Sequence, residues 1–103
     1  MIIVTVAGKV KPEFRDTFLE HMAELAHIVR QEEGCIKYQQ NITAEDPNTL
    51  FLYEEWESTG HLLAHLETEH MQEHFAQARP WFEWVDMKTS EATEFTLGTE
   101  NNG

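Results

Sequence analysis

The residue pattern predicts an α+β chain in the order βαββαβ, the ferredoxin-like plan, on three observations. A β-branched run, Ile2-Ile3-Val4-Thr5-Val6-Ala7, opens the chain and leads into a long amphipathic helical pattern. Two strand-like runs then flank the turn-rich Ala44-Glu45-Asp46-Pro47-Asn48, as in a hairpin. Helical periodicity returns after Ser58, and an alternating stretch over 87–97 closes the order. Right-handed crossovers put strands one and three of this plan in the middle of the sheet, with two and four at its edges.

The first run lacks strict alternation, which marks a strand buried on both faces. Gly8 to Lys11 are expected to leave the sheet, and Pro12 suits the first position of a helix. Phe14, Phe18, Met22, Leu25 and Val29 recur at three- and four-residue steps. With Glu13 and Asp16 near its start and Gly34 as its stop, that helix spans 12–33. The second strand, Cys35–Ile42, sets Ile36, Tyr38, Gln40 and Ile42 on one face and Cys35, Lys37, Gln39 and Asn41 on the other. The third, Thr49–Trp56, is apolar on both faces through Leu50 and Leu52 and through Phe51 and Tyr53. Ser58-Thr59-Gly60 turns the chain into helices over 60–67 and 69–79. Leu62, Leu63 and Leu66 form the buried stripe of one, and Met71, Phe75 and Ala78 that of the other. Pro80 interrupts the second, and 81–85 pack as one more helical turn. The domain covers 1–97, without repeat or linker, and 98–103 form a polar tail.

A single layer of helices covers one face of a sheet, yet both central strands read as buried on two. A second copy of the chain is the simplest cover, giving a homodimer closed sheet to sheet over roughly 1,600 Å² or more. Composition narrows the partners further. Asp and Glu number 19 against 7 Lys and Arg, for a net charge of -12 in 103 residues. No basic stripe exists to release phosphate counterions or to meet an anionic membrane, so neither nucleic acid nor a membrane surface is expected. The lone cysteine, Cys35, has no internal disulfide partner, and Met1 leads straight into a strand-like run. The expected setting is the cytoplasm.

Chemistry concentrates where the third strand ends and the next two helices begin. Of six histidines, His21, His65 and His74 fall beside apolar stripes at about 100° per residue and His70 occupies the first turn beside the corner, so the four are expected to edge one cleft between helices and sheet. Imidazole is the side chain best matched to proton transfer near neutral pH, although any one of them taken alone is more commonly an ordinary boundary residue. His61/His65 and His70/His74 have a spacing that can hold zinc, but neither pair carries the glutamate of a metalloprotease helix. No metal is expected. Trp56 offers a flat wall for a planar ligand or, equally, a core or interface aromatic. Glu54 and Glu55 read as exposed or inter-subunit carboxylates, and Cys35 as a semi-buried thiol rather than a nucleophile. No glycine-rich phosphate loop, nucleophile elbow or dinucleotide fingerprint is present.

The chain resembles the antibiotic biosynthesis monooxygenase family, and within it the small quinol-monooxygenase-like proteins. The resemblance rests on Ile3-Val4-Thr5-Val6, Val10-Lys11-Pro12, Glu32-Glu33-Gly34-Cys35 with Tyr38, Tyr53-Glu54-Glu55-Trp56-Glu57-Ser58, Ala64-His65 and Thr68-Glu69-His70-Met71. It implies a dimeric α+β barrel of two ferredoxin-like protomers and oxygenation of a small planar quinol or polyphenol without a cofactor. On that basis His65 is the expected base or anion-holder and His70 its partner. His21 approaches from the first helix, and Trp56 and Phe75 form apolar walls. The same fold family also includes an isomerase of a phosphorylated autoinducer sugar, for which only Lys37 and Arg79 offer cations here, and a heme-degrading branch whose first-strand Asn is missing. A dimeric small-ligand-binding protein is the non-enzymatic alternative.

Overall fold

The structure, a computed structural model, describes residues 1–95. Its elements are strand β1 (Ile2–Val10), a short turn of 3-10 helix (Pro12–Phe14), helix α1 (Arg15–Val29), strands β2 (Cys35–Ile42) and β3 (Thr49–Trp56), helices α2 (Thr59–Leu66) and α3 (Glu69–Ala78), a second 3-10 turn (Arg79–Trp81) and strand β4 (Phe82–Glu91). The four strands form one antiparallel sheet in the order β2-β3-β1-β4, so β1 and β3 are central as the crossover argument requires. This is the α+β ferredoxin-like fold.

The helices cover one face of the sheet. Val4 and Val10 of β1, Tyr38 of β2 and Trp56 of β3 meet Phe18, Met22, Leu25, Ala26 and Val29 of α1 there, with Leu62, Met71, Ala78 and Trp81 completing the core. The other face carries Ile3, Thr5, Ala7, Phe51 and Tyr53, none of which is buried within the single chain.

Several local expectations need correction. β1 does not end at Ala7 but runs on to Val10, with a register shift between Lys9 and Val10. Gly8 stays in the strand, paired with Leu50 and Val85, and the Phe82 ring lies over it, so close that a Cβ there would come within 2.7 Å of the ring. α1 ends at Val29 rather than near 33; the chain turns through 30–34 to Gly34, whose φ of 84° only glycine adopts readily. In β2 the register shifts between Cys35 and Lys37, so Cys35 sits opposite Trp56 and packs against the core while Ile36 is exposed. A bulge thus reverses the faces that strict alternation assigns to those two residues. Finally, 81–85 are not helical. After the second 3-10 turn the chain extends at Phe82 and pairs along β1, a non-local pairing that overrides the aromatic run's helical spacing. The described strand stops at Glu91; positions 96 and 97 of the expected last strand, and the tail over 98–103, lie outside the described residues.

The helix starts follow from their caps. Ser58 accepts the His61 backbone N–H through Oγ at 3.2 Å, and Thr68 does the same for Met71 at 3.3 Å. Leu63, expected in the buried stripe of α2, is instead 54% exposed, and His65 takes the inward position with Leu62. No helix among the described residues is long and apolar enough to cross a membrane.

Candidate active site

Between the helices and the covered sheet face lies a cavity of about 420 Å³. Its walls are mainly apolar, with Phe18 and Met22 from α1, Leu52 from β3, and Met71 and Phe75 from α3. A few polar groups converge on it: Tyr38, Gln40, Asn41, Glu54, His65, His74 and Arg79. An apolar cavity with a small polar set suits a planar organic molecule held by few hydrogen bonds.

His65 reaches the cavity from α2 and is only 2% exposed. Its ring packs on Trp56 with centroids 4.4 Å apart. Nδ1 lies 2.9 and 3.1 Å from the two carboxylate oxygens of Glu32, and Nε2 lies 3.9 Å from Oε1 of Glu54. Burial lowers the His65 pKa, and the Glu32 hydrogen bond and charge work against that without overturning it. That direction favours the neutral imidazole, the form able to accept a proton.

Glu54 is the carboxylate that the sequence reading assigns to the surface. It is 5% exposed, lines the cavity, and accepts the Trp56 indole N–H at 2.8 Å. Burial raises its pKa to about 7, the indole N–H opposing that shift and the Glu32 charge adding to it. The signal was the strand period itself. Glu54 shares the inward face with Leu50, Leu52 and Trp56, so alternation alone turns its side chain toward the helices. Glu32 was less accessible. It follows the helix end, and only the tertiary arrangement of the α1–β2 turn against α2 and α3 brings it to His65 and His70.

The structure connects the other expected residues to this center, though not all as expected. Phe75 does line the cavity. His70 does not; its Nε2 lies 2.8 Å from Oε2 of Glu32, the same oxygen that Nδ1 of the cavity-lining His65 approaches at 2.9 Å. His21 is not among the lining residues either, because its Nε2 is engaged at 2.8 Å with Nδ1 of His74 and its ring meets Trp81 edge-on. Burial lowers the pKa of both members of that pair, His74 to about 4 with the neighbouring His21 and His65 adding to the effect. Trp56 is fully buried behind His65 and forms no cavity wall; it supports the site through its ring and its N–H. Tyr38 enters the lining unforeseen, its hydroxyl pKa raised by burial.

The two i,i+4 histidine pairs make other contacts. His61 turns to the Ser58 hydroxyl at 2.7 Å, and His74 to His21. One group of donors, Glu32, His65 and His70, lies within 4.8 Å of one another. Here both imidazoles bond directly to the carboxylate, at 2.8–3.1 Å.

Residues 1–77 match the family model described as antibiotic biosynthesis monooxygenase. Over 79 residues the chain is 33% identical to the "Putative monooxygenase YcnE" of Bacillus subtilis, covering 77% of this chain and 83% of that protein. It is 29% identical to the "Probable quinol monooxygenase YgiN" of Escherichia coli K12, covering 69% and 76%. The crystal structure of a "putative antibiotic biosynthesis monooxygenase" from Deinococcus radiodurans superposes with a TM-score of 0.89 at 19% identity, over 94% of this chain and 97% of that one, a likeness of fold.

Proposed function

This chain belongs to the antibiotic biosynthesis monooxygenase family, and from that premise we propose that it oxidises a small planar quinol or polyphenol with molecular oxygen, using no bound cofactor. The observation that carries the proposal is the pairing of His65 with Glu54 at the wall of an otherwise apolar cavity.

The chemistry needs a base, a dry pocket and hydrogen bonds for an anion. Nε2 of His65 takes a hydroxyl proton from the quinol, and ionised Glu54 beside it stabilises the imidazolium so formed. The electron-rich phenolate gives an electron to oxygen, and the resulting radical pair joins as a carbon–oxygen bond at the ring. The imidazolium returns its proton to the outer oxygen of that peroxide. The O–O bond then breaks with loss of water, the ring hydrogen leaving with the outer oxygen. One oxygen atom stays on the ring, the other leaves as water, and the quinol supplies all the electrons. Phe75 and Met71 supply the apolar walls.

A phosphorylated sugar suits the cavity poorly. Among the described residues Arg79 is its only lining Lys or Arg, Lys37 is not in the lining, and Glu54 opposes a phosphate. The working unit is taken to be a homodimer closed through the open sheet faces, and the unpaired Cys35 fits a reducing compartment such as the cytoplasm.

Oxygen uptake with a panel of hydroquinones tests the reading. His65→Ala should lower kcat by roughly 10²–10⁴-fold, the usual worth of a general base. Equal rates for wild type and variant would remove His65 from the role, and a rate abolished by chelator would bring a metal into the chemistry instead.

A further inference from the structure

We propose that Glu32 is a positioning residue that fixes the tautomer of His65, and that His70 holds Glu32 to that task. The proposal rests on the reading of His65 as the base.

A neutral imidazole has one N–H and one lone pair, and the hydrogen bond made by one nitrogen decides which edge carries which. A carboxylate only accepts. Both oxygens of Glu32 lie against Nδ1 of His65, so the hydrogen belongs on Nδ1 and the lone pair on Nε2, the nitrogen that faces Glu54. Among the described residues, no competing donor is within hydrogen-bond distance of that ring. The Trp56 indole N–H packed beside it is spent on Glu54, and the Thr68 hydroxyl donates to the His65 carbonyl oxygen at 2.8 Å rather than to its side chain.

Glu32 itself stands in a turn rather than in a helix, where a carboxylate is free to swing. His70 removes that freedom. Coming from α3, its Nε2–H donates to Oε2 of Glu32 at 2.8 Å. The first turn of α3 is thereby joined to α2 through one carboxylate. His70 is thus a support two hydrogen bonds removed from His65, which explains why it is absent from the cavity lining.

The test is Glu32→Gln, read by imidazole-nitrogen NMR and by oxygen uptake. A glutamine amide can present N–H to Nδ1, which would move the hydrogen to Nε2 and take away the lone pair. The wild type should show a protonated Nδ1 and a bare Nε2, and the variant the reverse. Where a carboxylate-to-amide change imposes the wrong tautomer on a catalytic histidine, kcat falls by about 10⁴; here a fall of roughly 10²–10⁴ in kcat with KM preserved is expected. His70→Phe gives a second reading if Glu32→Gln fails to fold. It should populate both tautomers and lower kcat less, while His70→Asn, which keeps a donor, should restore the wild-type signature. A wild-type His65 protonated at Nε2, or a tautomer unchanged in both Glu32→Gln and His70→Phe, would overturn the proposal. Because the NMR signature needs no turnover, a wild type with the expected tautomer but no oxygen uptake would sink the oxygenase reading and leave the role of Glu32 standing.

Discussion

At the scale of single residues, the cavity owes its chemistry to a carboxyl group whose burial makes it unusual. Glu54 titrates near 7 because burial disfavours its charge, and the Trp56 N–H compensates only in part. A folded-state pKa above the unfolded one means that the group favours folding while protonated and loses that contribution as pH rises from about 4.5 through about 7. Glu54→Gln keeps an acceptor for the indole and removes the ionisation. It should therefore leave thermal stability unchanged at pH 4 and raise it at pH 8 by an amount of order 3 kcal/mol at most, measured by calorimetry at the two pH values. Activity should move the other way. Wild-type kcat/KM should climb as Glu54 ionises near pH 7, and the variant should lose both that limb and much of its rate. A variant no more stable than wild type at pH 8 would mean that Glu54 is not desolvated. Strand alternation already turned Glu54 inward, yet an acidic side chain two residues from Trp56 reads first as surface. What the sequence lacked was the indole N–H that makes its burial tolerable.

Elements carry the site through their ends rather than their middles. β2 and β3 were legible at both bounds because turn chemistry brackets them, and α1 was legible along its apolar stripe. The α1 terminus was not, and that is where Glu32 sits. Four residues that continue the helical spacing are turned aside by the Arg30 guanidinium, which donates to the Tyr38 carbonyl oxygen at 2.7 and 3.0 Å, and by Gly34 in its left-handed conformation. A Cβ on Gly34 would also come within 2.2 Å of the His61 ring. Gly34→Ala should thus cost about 1–3 kcal/mol in backbone strain, more if His61 cannot move. For a domain of this size that is a melting point lower by several degrees, roughly 4–8 °C per kcal/mol. Oxygen uptake should fall with it, since Glu32 lies two residues upstream. Gly60→Ala is the control, because its Cβ would meet only the Ser58 hydroxyl, at 3.6 Å, and helix α2 should tolerate it. Equal melting points for the two variants would show that the turn does not need its glycine. The first part of β4 was hidden for a different reason: alternation marked a strand from 87 on, but what extends it back to Phe82 is its partner β1 near the start of the chain, and no local pattern records that pairing.

For the molecule as a whole, the uncovered sheet face is the ground for the proposed sheet-to-sheet dimer. β1 and β3 present Ile3, Thr5, Ala7, Phe51 and Tyr53 on it, with Phe51 36% and Trp84 47% exposed. Such a face flanked by polar residues is a surface that seeks a partner. Register also places Lys9, Lys37 and Lys88 on that side, together with Glu55 and Asp86. Three of the chain's seven basic residues thus lie on one face of a protein whose net charge is -12. A nucleic-acid surface would not intersperse them with carboxylates, whereas a two-fold axis would set cations of one copy against anions of the other. Light scattering at micromolar concentration should therefore report a dimer, buried over roughly 1,600 Å² or more. Ala7→Arg tests the face directly. Ala7 stands between Phe51 and Asp86 in the register, so an arginine there has room and a counter-charge in one chain but obstructs the approach of a second sheet. The variant should keep its far-ultraviolet circular dichroism and scatter as a monomer. A wild type that is monomeric at that concentration would refute the sheet-to-sheet dimer; a variant that remains dimeric would place the contact on another face. The cavity faces the helices, so the oxygenase reading survives either result, and a loss of oxygen uptake in a folded Ala7→Arg monomer would show that the second copy helps to shape the cavity from across the sheet.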